Sequence, residues 1–338
     1  MLKILPFFTS FFGLISNLIF SVIIAQVIYY AARPLRQFLE ERKVPRIVSI
    51  MLIFIILSIA IALIFMFIWP FLSQQITEFT ETPKEKIADV ESKTMDILNA
   101  FNFTSLDETE LKENMIFYIR EAMMYIVKNI SVTISSLANI ASYFIVTPFL
   151  LFYLLKEDYG MFSDVIDHIP GHKKKVVRKI FNNIDDTLGL YINGQILVSC
   201  VVSGLIFAGY SLIGLNYAFV IGLLTFFFNL IPFCGTIIST IPALLIGFSD
   251  NPLMAFKVLA VVIIVHLLDM NLISPRVVGY SLNIHPITMI LLLVLGFSLG
   301  GIIGLFVITP LYAVLKSITG DIIEFRESKE TKEVAVNE

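Results

Sequence analysis

The sequence predicts an all-α, polytopic transmembrane protein with single spans, broken-helix hairpins and an extramembrane helical hairpin. Three observations carry that prediction. Of 338 residues, 57% are hydrophobic and only 15% are charged, against roughly 45–50% and about 25% in a soluble domain. The mean hydropathy is +0.87. Apolar stretches of membrane-crossing length also recur along the chain, an α-helix needing about 20 apolar residues to cross roughly 30 Å of hydrocarbon. The expected surroundings are therefore a lipid bilayer. A net charge of −3 gives no basic surface for nucleic acid, so no such partner is expected.

The elements follow in order. Residues 4–32 form a stretch too long for one crossing and short for two, with Pro6 and Gly13 as weak breakers, and read as a hairpin. Residues 47–72, 131–155, 196–214 and 253–274 fit single crossings. Residues 217–248 carry Pro232, Gly235 and Pro242. Residues 286–318 carry Gly296, Gly300, Gly301, Gly304 and Pro310. Both of these read as hairpins of two short helices, turning near Phe233 and Gly300. Irregular backbone at membrane depth persists only where protein or a water-filled cavity covers it, and such breaks are the usual address of a transporter's substrate site.

Charge divides the chain further. Residues 33–46 hold Arg33, Arg36, Arg42, Lys43 and Arg46, and residues 156–179 hold Lys156, Lys173, Lys174, Lys175, Arg178 and Lys179. Residues 73–130 carry eleven acids against six bases, a net of −5. Basic loops stay in the cytoplasm. The expected organisation is membrane segments over 1–72, an extracytoplasmic amphipathic helical segment over 73–130, a transport domain over 131–318 and a charged cytoplasmic tail over 319–338. In the outer segment, apolar residues fall at helical spacing over 86–101 and 108–130, with a turn at Phe103. These helices are expected to pack on a neighbouring subunit. Within 156–195, Val177, Ile180, Phe181, Ile184, Leu188 and Tyr191 share one helical face behind a lysine cluster. That stretch is expected to lie at the cytoplasmic interface against anionic head groups.

No catalytic pattern has its required context. "GFSLG" (296–300) matches G-x-S-x-G, but a nucleophile elbow needs a strand before it and a soluble helix after it. Gly296, Gly300 and Gly304 also form a small-xxx-small row that brings helix backbones together. A histidine partner for the serine would have to be His266 or His285. There is no H-E-x-x-H and no phosphate loop, so neither an enzyme nor an ATP-driven pump is expected. Cys200 and Cys234 lie in separate apolar runs without metal-ligand spacing and are expected to be buried small hydrophobes. No cofactor or metal is expected. No cleavage site of a signal peptide follows residues 1–32.

Five segments occur in a characteristic order: "YFIVTPFLLFYLLKED" (143–158), "YINGQ" (191–195), "NLIPFCGTIISTIPALLIG" (229–247), "NLISPRVVGYSLNIHP" (271–286) and "GGIIGLFVITPLYAVLKS" (300–317). Together they resemble the autoinducer-2 exporter family, the PerM-like bacterial permeases, from Arg33 to Lys316. The family more often has Tyr-Val-Gly where this chain has Phe233-Cys234-Gly235. The resemblance implies a multi-pass protein of the bacterial inner membrane that assembles as a homo-oligomer. It also implies export of a small polar signal or, for some members, exchange of sodium or lithium for protons. Fold alone does not name the substrate.

The candidate pathway residues sit in the last third of the chain. His266 and Asp269 are three apart and share a helical face, one turn before Pro275. An ionisable residue in a membrane span is a functional hypothesis by default. Asp269 is read either as an acid that carries a proton or cation, or as a structural partner of Arg276 or of broken backbone near Ser274. Asn271 and Arg276 complete the cluster. Asn229, Pro232 and Gly235 could offer an amide and backbone carbonyls to a polar solute or monovalent cation. The leading function is secondary transport. The alternative is an oligomeric membrane scaffold with no transport activity of its own.

Overall fold

A computed structural model of the chain describes residues 5–81, 143–157, 168–232, 235–277 and 284–337, with isolated positions between 88 and 121. Every regular element among the described residues is helical, the form in which a membrane-embedded segment satisfies its own backbone. The helices are α1 (Leu5–Glu41), α2 (Arg46–Glu81), α3 (Tyr143–Glu157), α4 (Gly171–Leu212), α5 (Ala218–Asn229), α6 (Gly235–Asp250), α7 (Pro252–Leu268), a π-turn (Asp269–Ile273), α8 (Ser274–Val277) and α9 (Pro286–Asn337). Five are long and apolar enough to cross a membrane, over Leu18–Glu41, Arg46–Pro70, Lys174–Leu212, Leu253–Val277 and Gly304–Ile323. The expected outer helices 86–101 and 108–130, the turn at Phe103, residues 131–142 and the pair Phe233–Cys234 lie outside the described residues.

The chain forms two compact units. The first comprises Met1–Ile56, Ile140–Ile196 and Val277–Glu338. Here α1 corrects the expected N-terminal hairpin: it is one helix of 37 residues. Pro6 stands in its first turn, where a missing N–H costs nothing. Gly13 costs only about 1 kcal/mol relative to Ala.

The basic segment 33–46 is also more structural than a loop. Arg33 and Arg36 lie on α1 itself. Arg36 is 1% exposed and donates through Nη1 to the Leu155 carbonyl at 2.7 Å. Arg46 reaches the same carbonyl from Nη2 and Nε at 3.3 and 3.4 Å. Leu155 lies in the last turn of α3, where carbonyls lack intrahelical donors and the helix end carries partial negative charge. Glu40 stands 3.6 Å from Arg36 Nε and 3.9 Å from Arg46 Nε. Two guanidinium groups thus cap one helix end and share one carboxylate.

The amphipathic stretch before Gln195 and the span 196–214 are one continuous helix, α4, of 42 residues. The C-terminal part of its apolar face packs inside the protein, while Val177, Ile180, Phe181 and Ile184 stay half-buried. Leu188, Tyr191 and Ile192 are buried. Asp185 accepts from Arg33 Nη1 at 2.8 Å and from the Tyr30 hydroxyl at 3.1 Å, which fastens this part of α4 to α1.

The expected hairpin over 286–318 is present. α9 breaks at Gly300 and Gly301, and Gly301 adopts φ 57°, a conformation costly for any residue with a Cβ. The two arms meet so closely at Gly296 and Gly304 that a Cβ on either would collide with the other's backbone. Pro310 is buried inside the second arm and does not break it.

The second unit comprises Leu57–Asn139 and Leu197–Arg276. α5 and α6 have 12 and 16 residues, about 18 and 24 Å at 1.5 Å per residue. Each is short of a full crossing, and they pack together as the expected hairpin. Pro242 lies inside α6 without ending it. α6 turns into α7 through Asn251, whose side chain accepts from the Leu253 N–H at 3.0 Å ahead of a Pro at the first helical position. Cys200 is exposed on α4 rather than buried.

Candidate functional site

The second unit holds every pathway residue the sequence singled out. Asn229 closes α5 and is 3% exposed. Residues 230–232 turn, with Leu230 and Ile231 N–H groups reaching back to the Phe227 and Phe228 carbonyls at 3.2 and 2.9 Å. Gly235 then opens α6 directly against the Asn229 backbone. A Cβ at 235 would run into Asn229 N and Cα, so glycine here is a steric requirement of the break. Pro232 sits half-buried in the turn.

Behind the break, α6 presents a polar stripe. Thr236, Ser239 and Thr240 are buried at 2%, 2% and 8% exposure. Ser239 and Thr240 donate to the Thr236 carbonyl at 3.1 and 2.6 Å. Thr236 itself turns outward from α6. Its Oγ1 lies 3.1 Å from His266 Nδ1 on α7, a hydrogen bond whose direction follows the imidazole tautomer. α6 and α7 run antiparallel from the tight turn at Asn251, which places the first turn of α6 beside the last turn of α7.

Asp269 comes three residues after His266, close enough for an electrostatic interaction. Its Oδ1 accepts from Ser274 Oγ at 2.7 Å. The sequence left open Arg276 or broken backbone near Ser274 as its structural partner; the partner in the structure is the Ser274 hydroxyl. No Asp269–Arg276 ion pair occurs among the described residues, and Arg276 is exposed. Asn271 is exposed as well and donates from Nδ2 to the Leu267 carbonyl at 2.8 Å, one turn back on its own helix.

Pro275 does not release the helix where the sequence placed its end. The turn ahead of it widens into the π-turn Asp269–Ile273, and α8 continues to Val277. The physical reason is the proline ring, which clashes with the carbonyl four residues back in a regular helix. One extra residue in the preceding turn moves that carbonyl aside, and such bulges concentrate at functional sites.

The structure thus brings Asn229, Pro232 and Gly235 together at the break. It joins Thr236 on α6 to His266 on α7 and, one turn on, Asp269 of the π-turn to Ser274 of α8, and leaves Asn271 and Arg276 exposed. Gly296, Gly300, Gly301, Gly304 and Pro310 belong to the other unit, where they shape the α9 hairpin. Ser298 within "GFSLG" is exposed on a helix. Thr236 was missed from sequence. Its signal is the i, i+3, i+4 spacing of Thr236, Ser239 and Thr240 inside an apolar run, which marks a polar face on a helix.

Comparison with known proteins agrees with this architecture. A family model described as AI-2E family transporter matches residues 2–324. "Putative transport protein YueF" of Bacillus subtilis is 31% identical over 98% of this chain and 91% of its own length. "Putative transport protein YrrI" of the same organism is 31% identical over 91% and 87%. "Putative permease PerM" of Escherichia coli is 26% identical over 57% and 55%. This chain is a multi-pass membrane protein and belongs to the AI-2E transporter family.

Proposed function

We propose that the chain is a secondary transporter in a bacterial inner membrane. It exports a small polar solute of the autoinducer-2 kind or exchanges sodium or lithium for protons, with Asp269 and His266 as the coupling groups. The observation that supports this most is the Thr236–His266 hydrogen bond. It joins the second half of a broken helix pair to a candidate span one turn from an acid held by Ser274. Broken helices with polar and ionisable groups at the break are the construction that secondary transporters use for solute and ion sites.

In this reading the basic segments 33–46 and 156–179 face the cytoplasm and 73–130 lies outside. The chain works as a homo-oligomer, with the segments 86–101 and 108–130 on a neighbouring subunit. The test is flux into proteoliposomes, autoinducer-2 compared with sodium, with and without an imposed pH gradient. Gradient-dependent flux of either one supports the proposal. Flux of neither, from protein that is folded and correctly inserted, refutes it.

A further inference from the structure

We propose that the π-turn Asp269–Ile273 and Ser274 form a binding site for a small monovalent cation of the sodium type. The inference begins with a count of main-chain donors. The Ser274 N–H donates to the Asp269 carbonyl, five residues back. The next residue, Pro275, has no N–H at all. The helical donors of the Met270 carbonyl are position 274, as in an α-helix, and position 275, as in a π-helix. The first is committed to Asp269 and the second does not exist. Met270 therefore presents a main-chain carbonyl without its α- or π-helical donor, inside a candidate span, where an unmet polar group is costly.

Two more oxygens accompany it in the same turn. Asp269 uses Oδ1 to accept from Ser274, which leaves Oδ2. The Ser274 oxygen gives its proton to that bond and keeps acceptor lone pairs. A carboxylate, a hydroxyl and a carbonyl oxygen are the ligands of hard cations. The charge selects the valence. The turn supplies one carboxylate, and no cluster of three or more metal-binding side chains occurs among the described residues. One negative charge neutralises a monovalent ion, whereas a divalent ion would keep a net positive charge within the span, where charge is disfavoured. Unwound backbone carbonyls at helix breaks serve the same purpose in other transporters.

This inference rests on Asp269 as the coupling acid, since a proton and the cation would then compete for one carboxylate. The test uses the purified full-length chain in detergent. Sodium chloride is titrated by calorimetry at constant ionic strength, with choline chloride as the replacement salt. Wild-type protein should give saturable sodium binding, and Asp269→Asn should abolish it. Pro275→Ala restores an N–H for the Met270 or Asn271 carbonyl and removes the ring that widens the turn while keeping the Asp269 carboxylate, and should weaken binding about tenfold. Ser274→Ala removes a second ligand and serves if Pro275→Ala does not elute as folded protein. No saturable binding by wild type, or wild-type affinity in Asp269→Asn, overturns the site. So does wild-type affinity in whichever ligand variant folds. Proton-coupled flux that survives without sodium binding sinks this inference and leaves the proposed function standing. Sodium binding without any flux in proteoliposomes does the reverse.

Discussion

Replacing Asp269 by Asn separates a coupling acid from a structural one. The substitution keeps size and keeps an oxygen that can accept from Ser274 Oγ, now at 2.7 Å from Asp269 Oδ1. What changes in the resting fold is the strength of that bond. A hydrogen bond to a charged group contributes about 1.5–3 kcal/mol, and a neutral one about 1 kcal/mol. The variant should therefore lose about 1 kcal/mol, partly offset because a neutral amide is easier to keep in a span. In thermal unfolding that is a shift of about 2–4 °C or less. Arg276 is exposed and not paired with Asp269 in this structure, so no buried base is left behind, and the 3–5 kcal/mol cost of orphaning one does not arise. Yield, elution volume and thermal midpoint should stay near wild type. Flux driven by a pH gradient should fall at least about tenfold, because the side chain can no longer take up and release a proton. The assay is flux per unit of inserted protein in proteoliposomes, measured beside the unfolding curve. Wild-type flux in a well-folded variant would refute the coupling role. A large loss of yield that Arg276→Gln rescues would refute the geometry, since it would require an Asp269–Arg276 pair.

Further outcomes follow from other contacts. Gly235→Ala should abolish the folded transporter or shift its elution profile, because the added methyl has the Asn229 backbone, not a flexible side chain, in its way; normal yield and flux would show that the break is looser than described. Arg36→Met should cost roughly 2–4 kcal/mol of stability, read as a lowered thermal midpoint in detergent, whereas the exposed Arg42→Met should change little; equal midpoints for the two would refute the capping of α3. Thr236→Val keeps shape but removes the partner of His266, and should alter the pH dependence of flux with about 1 kcal/mol of lost stability; an unchanged pH profile would detach His266 from coupling. Cysteines placed near Thr104 should react with an impermeant thiol reagent on intact cells and those near Lys174 should not, and equal labelling would overturn the proposed orientation.

Much of this fold can be read in the sequence because hydrocarbon imposes so few solutions. The apolar stretch 253–274 became α7 and its π-turn, and 217–248 became two short helices about a break at Pro232–Gly235. In each case length and breakers sufficed. The errors share one physical origin. Charge normally ends a span, so the pattern places Arg33 and Arg36 in a loop, but their long side chains reach Asp185 and the Leu155 carbonyl from within α1. Such a partner, 119 residues away for Arg36, has no signature in local pattern. The same holds for the face of α4, where periodicity identifies an apolar stripe and cannot say that Leu188 and Tyr191 are buried while Val177 and Ile180 are only half-buried.

At the candidate site the limit is finer still. His266, Asp269 and Pro275 are conspicuous in an apolar run, and so were found. That Ser274 rather than Arg276 holds Asp269 depends on how the helix accommodates Pro275. A regular α-helix ending at the proline would leave Ser274 and Arg276 free to move, and the longer, charged side chain would be the better partner. The π-turn instead carries the helix on through Val277 and fixes Ser274 with both its N–H and its Oγ directed at Asp269. One inserted residue per turn thus decides which side chain meets the acid. The missing N–H of Pro275 acts at the same turn, where it takes away the π-helical donor of the Met270 carbonyl while Ser274 N–H is committed to Asp269.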